Sequence, residues 1–353
     1  MTLPRFFAVN VAVLGLTAGG VLAVAVRDSS TAIVRVAEDA RAARASAVVA
    51  AVEGELDAAE RAIDDFERAL KAGIVDDRDP ASVRRYLTAE LIALRGLTDL
   101  TLTSATLVGY ADDGAAVLKR GDRRQVTVLR DGDGHIEQRN AEPAVPDSRA
   151  DLTQHDTFRA AAQRDARGQA LWSDLAFSQL DAALPLEARR KTLTVQKAVF
   201  TPAPGGERFA GVLRAGLVSG TLDRLGAATS SADPHRVFIC DRAGRLVTRL
   251  TPDDGYGLFD GAGRPDPDGD VRVAARAIPA EVAAALAAAR AGQLGAMRMQ
   301  VGGTPYLLTL VPVAAGRAQE WLAGVVVPES HYVGALAARR NRLLVLLALA
   351  LAL

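Results

Sequence analysis

The chain is poor in the residues that mark several function classes. One cysteine, Cys240, stands among 353 residues. That excludes a disulfide framework and a multi-thiolate metal site. Inside the apolar run VFICD it reads as a small buried hydrophobe on a strand. The four histidines, His135, His155, His235 and His331, are far apart and show neither H-x-x-x-H nor H-E-x-x-H spacing. Each therefore reads as a surface or capping residue rather than a ligand. Aromatic residues make up 5%, too few for platforms that stack single-stranded bases. An excess of one charge is also lacking, because 42 basic residues balance 42 acidic ones. Nucleic acid is accordingly not expected as a partner, since no basic patch stands out to neutralise phosphates. There is no P-loop, no G-x-S-x-G and no dinucleotide fingerprint. In DPDGD, Asp266 to Asp270, the glycine that a calcium loop needs next is replaced by Val271. Turn chemistry explains this run, and DGDG at Asp131 to Gly134, better than calcium does. No enzyme is visible in these residues, and no cofactor or metal is expected.

What the chain does have is apolar helix at both ends. Phe6 to Val26, FFAVNVAVLGLTAGGVLAVAV, carries no charge and only Asn10 and Thr17 as polar side chains. Such a helix crosses a hydrocarbon core of roughly 30 Å, which predicts a membrane anchor over residues 1–27. The competing reading is a cleaved signal peptide with Ala23 to Ala25 at its cleavage site, but the run is longer than a signal h-region. Leu343 to Leu353 is apolar throughout and as a helix covers about 16 Å, half of a bilayer. Residues 337–353 thus read as the start of a second span, cut inside it, with an output part beyond. An anchor with its N-terminus inside puts residues 28–338 outside the cytoplasm. Arg339, Arg340 and Arg342 then flank the second span against the positive-inside trend, although large domains translocate largely regardless of charge.

From Ser29 to Lys71 there is no proline, and only Gly54 interrupts a run of good helix formers. Val52, Leu56, Ala59, Ile63, Phe66 and Leu70 follow alternating steps of four and three, a heptad seam, with charges on the other faces. A stalk helix within residues 28–76 follows, roughly 65 Å long. Its seam has two readings, packing on the chain's own modules or pairing in a homodimer.

After DDRDP the pattern turns to short β segments between Gly- and Asp-rich turns. Two stretches look alike at an offset of about 113 residues: KTLTVQKAVFTPAPGGERFAGVLRAGLVSGTLDRL from Lys191, and TPYLLTLVPVAAGRAQEWLAGVVVPESHYVGAL from Thr304. Each has an apolar strand, a glycine-bearing turn, a second strand with an A-G-V core and a short helix. Upstream, each half carries an apolar strand ending in an acidic-Gly turn, ATLVGYADDGAAVL and HRVFICDRAGRLV. The expected fold is α+β, with a long helix followed by two tandem modules, each a small antiparallel sheet with helices on one face. The distal module takes residues 77–228 and the proximal module 229–336.

This order of parts, with WLAGVVVPES before the exit helix, FAGVL after the PAPGG turn and LWSDL at Leu171 to Leu175, resembles the double-Cache extracytoplasmic sensors of bacterial receptors. The resemblance covers about residues 28–338. It implies PAS-like modules, small-molecule binding in the distal module, and output through the second span to a histidine kinase, a nucleotide cyclase, a phosphatase or a chemotaxis signalling rod. The amino-acid-binding branch carries R-x-W-Y on a helix. The corresponding region here, DLTQHDTFRAAAQRD from Asp151, lacks it, so the resemblance does not point to an amino acid.

Candidate ligand contacts are Arg159, whose planar fork suits a carboxylate; Trp172, as a pocket wall; Asp174, for an amine; Thr194 and Gln196, which alternation in KTLTVQK puts on one face with Val195 and Lys197 on the other; and Tyr110 on the first strand. The bland alternatives are a solvated helix face for Arg159, packing for Trp172 and a turn start for Asp174. From a different class, the chain reads as a membrane-anchored scaffold or adhesion module without a ligand.

Overall fold

A computed structural model describes residues 3–131, 134–141, 152–181, 184–228, 235–313, 317, 320–331, 342 and 345. It is a mixed α/β fold of antiparallel sheets built along a long N-terminal helix. That helix, α1 (Leu3–Lys71), runs for 69 residues, about 100 Å at 1.5 Å per residue. It ends where Gly73 takes a left-handed φ of 70°. Gly73 N–H donates to the Leu70 carbonyl at 3.1 Å and Ile74 N–H to that of Ala69 at 2.9 Å, the paired bonds of a Schellman stop. The next helix, α2 (Pro80–Ala93), starts on Asp79, whose carboxylate accepts from the N–H groups of Ala81 and Ser82, with Pro80 in the first turn.

The first sheet contains β1 (Leu97–Tyr110), β2 (Ala116–Arg130), β3 (Ile136–Ala141), β4 (Leu171–Phe177), β5 (Lys191–Ala203) and β6 (Gly206–Val218), in the spatial order β3-β2-β1-β6-β5-β4. A short helix, α3 (Asp156–Ala161), lies between β3 and β4, and α4 (Ser219–Ala228) leaves the sheet after β6. The second sheet contains β7 (Arg236–Asp241), β10 (Gly295–Val301), β11 (Thr304–Val313) and β12 (Trp321–Pro328), in the order β10-β11-β12-β7. A two-stranded ribbon, β8 (Gly255–Phe259) and β9 (Asp270–Ala274), and the helix α5 (Ala280–Arg290) are inserted within it.

The heptad seam of α1 is buried inside the chain. Val52, Leu56, Ala59, Ile63, Phe66 and Leu70 are each at most 2% exposed. They share one core with Leu100, Leu102, Val195 and Leu213 of the first sheet and Ile239, Trp321, Ala323 and Val325 of the second. Each large apolar side chain so buried contributes roughly 1.5–3 kcal/mol, which is why one helix serves both sheets. A second core lies on the far side of the second sheet, where Phe238, Cys240, Leu308 and Leu322 meet Val282 and Leu286 of α5. Burial pushes the Cys240 thiol up to about 12.

The two A-G-V cores sit on β6 and β12, and each glycine has its own reason. Gly211 holds a φ of 147°, and a Cβ there would stand 2.3 Å from the Thr103 carbonyl oxygen on β1. At Gly324 an added Cβ would meet the Phe238 ring at 2.2 Å. The last ladder pair of β12 is Tyr306 with Pro328, and Glu329, Ser330 and His331 are already helical. No loop intervenes between strand and exit helix.

The backbone is helical through Phe6 to Val26. Among the described residues, no helix is long and apolar enough to cross a membrane. Most of 337–353 lies outside the described residues.

Candidate functional site

The first sheet has one apolar face and one polar face, both covered. In LTDLTLT, Leu97 to Thr103, leucines alternate with polar residues, and a strand sends alternate side chains to opposite faces. Leu100 and Leu102 pack toward α1. Asp99, Thr101 and Thr103 point the other way, and the register extends that face across five strands. One row runs Thr127, Thr101, Arg214 and Gln196. The next runs Asp99, Gly216, Thr194 and Ser173.

This polar face is withdrawn from water. Asp99, Thr101 and Thr127 are 2% exposed and Gln196 4%. Most of its groups find partners, as burial demands. Thr101 and Thr127 share a hydrogen bond of 3.1 Å, Ser173 and Thr194 hydroxyls one of 2.6 Å, and Thr98 donates to the Gly216 carbonyl at 3.1 Å. The Arg214 guanidinium lies 3.5 Å from the Asp99 carboxylate. Among the buried side-chain acceptors of this face the exception is the Gln196 carbonyl Oε1, which has no hydrogen-bond donor among the described residues. An unsatisfied buried acceptor costs roughly 1–3 kcal/mol.

Helix α3 roofs this face. His155 precedes it in an extended conformation and Phe158 is buried beneath it, edge-on to Phe209 at 6.4 Å. Under the roof, between Gln196, Thr101, Thr103, Gln125, Arg214 and His155, lies a cavity of about 30 Å³, room for water-sized occupants only. Phe158 also lines an adjoining cavity of about 230 Å³, which Arg123, Arg159, Thr153, Gln154 and Gln163 face. Among the described residues no acidic side chain lines either cavity. On the α1 side of the sheet, a third cavity of about 460 Å³ is bordered by Asp77, Arg78, Arg124 and Arg208; there Arg208 is held by Asp77 at 2.8 Å.

Burial, and then the charge of Arg214, push the His155 imidazole below its ordinary value of 6.5. A histidine whose folded pKa lies below its unfolded one binds fewer protons when native, so stability rises with pH through that interval and falls on acidification. Lowering the pH from 8 to below 6.5 should therefore destabilise the protein more than its His155→Asn variant, as read by thermal unfolding. Equal losses in the two would show that His155 titrates freely.

The structure brings some of the expected contacts together and separates others. Gln196 lines the small cavity, and Thr194 is on the same face one row away. Arg159 is exposed on α3 and lines the adjoining cavity. Trp172 faces α1, where its Nε1 donates to Glu60 at 2.5 Å, and it lines none of the three cavities described. Asp174 lines none of the three cavities described, and the buried Arg272 guanidinium on β9 takes its carboxylate at 2.7 Å. Tyr110, at the far end of β1, lies under the Arg164 guanidinium at 5.1 Å and lines none of the three cavities. Sequence reading missed Asp99, Thr101, Thr103, Thr127, His155 and Arg214. The alternation of leucine with threonine in LTDLTLT was the signal that could have found the β1 members. Among the described residues, no group of three or more histidine, cysteine, aspartate or glutamate side chains is placed to hold a metal.

No family model matches the chain, and no curated protein does. Solved structures do. The extracellular domain of soHK1S-Z6, assigned as a histidine kinase, superposes with a TM-score of 0.52 at 14% identity, over 87% of this chain and 99% of that one. Methyl-accepting chemotaxis protein X gives 0.51 at 13%, over 84% and 98%. The sensory domain of the Campylobacter jejuni chemoreceptor Tlp3 gives 0.50 at 12%, over 86% and 97%. The chain thus has the fold of the extracellular sensory domains of histidine kinases and chemoreceptors, in agreement with the double-Cache resemblance.

Proposed function

We propose that this chain is the extracytoplasmic sensing portion of a transmembrane receptor, and that its ligand is a small organic anion bound on the polar face of the first sheet. The observation that carries the reading is the buried Gln196 Oε1, an acceptor with no donor among the described residues. A hydroxyl or amide of a ligand supplies that donor. The Arg123 and Arg159 guanidiniums facing the adjoining cavity supply the attraction for a carboxylate. At about 30 Å³ the inner cavity holds no such molecule, so Phe158 and α3 move outward when the two cavities join around it. Phe6 to Val26 is the anchor, residues 28–338 lie outside the cytoplasm, and a kinase or cyclase beyond the second span reads the signal.

The test is a thermal-shift screen of the full chain in detergent with small mono- and dicarboxylates, beside Gln196→Leu and Arg159→Ala. A ligand at a hundredfold excess over its Kd stabilises by about 2.7 kcal/mol. The best carboxylate should raise the midpoint of the wild type and lose about tenfold or more in affinity in each variant. A hit that keeps its affinity in both variants puts the site elsewhere, and a panel without hits defeats the ligand class.

A further inference from the structure

We propose that Trp172, Ser173 and Asp174 on β4 form the joint through which the state of the polar face reaches α1 and the second sheet. This rests on that face being the sensing site. The strand is suited to the task because it is the edge of the first sheet and, among the described residues, pairs only with β5. It can shift by breaking one ladder rather than two. The ladder is already irregular at this point: Ser173 pairs with Thr194, but the next pair is Ala176 with Thr192. One extra residue on β4 makes a bulge, which bends a strand and re-aims its side chains.

Three consecutive side chains then face three different parts of the molecule. Ser173 hydrogen-bonds the Thr194 hydroxyl at 2.6 Å, in the row of Asp99 and beside that of Gln196. Trp172 donates to Glu60 of α1 at 2.5 Å. The same carboxylate accepts from Arg317, between β11 and β12, at 3.0 Å. The Arg317 guanidinium stands 5.7 Å over the Trp172 ring and also pairs with Asp57. Asp174 holds Arg272 of β9 at 2.7 Å, and Arg272 holds Asp241 at the end of β7 at 2.8 Å. The Arg272 side chain is 4% exposed, so its two carboxylates set its position tightly. A displacement of β5 under a ligand is therefore handed to β4 through Ser173. It passes to the stalk and Arg317 through Trp172, and to β9 and β7 through Asp174.

Coupling of this kind is reciprocal, which allows a test without any ligand. Amide hydrogen exchange is followed in the full chain in nanodiscs for wild type, Asp174→Asn, Arg272→Gln and Glu60→Gln. Arg298→Gln serves as the control. Arg298 on β10 pairs with Glu329 at 2.7 Å and touches no residue of the joint among its described partners. Loosening the joint from the second sheet or the stalk should speed exchange at residues 152–163 and 192–198 by about fivefold or more, whereas Arg298→Gln leaves them unchanged. Changes confined to β4, β7 and β9, or an equal change in the control, overturn the proposal. Should Arg272→Gln not fold, Asp174→Asn and Glu60→Gln decide it from the other sides. Because no ligand enters, a negative result is distinct from a failed carboxylate screen.

Discussion

Gly211→Ala lowers the thermal midpoint by roughly 6–12 °C. A φ of 147° is a conformation essentially closed to residues with a Cβ, at a cost of about 1–3 kcal/mol. The added carbon would also stand 2.3 Å from a backbone oxygen of β1, so the β1–β6 ladder must open at Thr103. Together these come to about 3 kcal/mol, and each kcal/mol moves the midpoint of a domain of this size by roughly 2–4 °C. The companion Gly324→Ala meets only the Phe238 ring, which can turn aside. It should cost about half as much. Calorimetry on the two variants separates the cases, and an equal or larger loss at Gly324 would mean that backbone conformation is not what reserves position 211 for glycine.

Phe66→Ala should remove about 3–5 kcal/mol of stability while leaving the oligomeric state unchanged. Phe66 is fully buried and meets Tyr86 of α2 edge-on at 5.7 Å, so its loss leaves a cavity within the chain. Sedimentation alongside urea unfolding is the measurement. A changed mass at unchanged stability would show instead that the seam of α1 faces a second copy.

The seam shows what a sequence does and does not reveal. The steps of four and three from Val52 to Leu70 announced a helix with one apolar stripe, and the helix is there. They could not say what covers the stripe, because leucines and phenylalanines pack equally well on a sheet or on another helix. The A-G-V repeat was likewise legible as two strands, yet its two glycines answer to different neighbours, one a carbonyl and one a ring. Only the paired strands reveal which. The candidate site was legible along β5, where alternation put Thr194 and Gln196 on one face. Trp172 and Asp174 drew attention because chemically versatile residues attract functional readings. Their partners, Glu60 and Arg272, lie 112 and 98 positions away, and local pattern carries no trace of them. Arg214 and Asp99 were passed over for the same reason, since each acquires its meaning from the other across β1 and β6.

The sharing of α1 by both sheets also limits how this molecule can move. A helix gripped along Val52 to Leu70 by two separate bodies acts as an axle. Neither sheet can tilt away from it without exposing apolar side chains, but a small swivel about its axis exposes few. The motion most open to such an arrangement is torsion: a turn of one sheet around the axle, resisted by the Arg317 and Arg272 linkages.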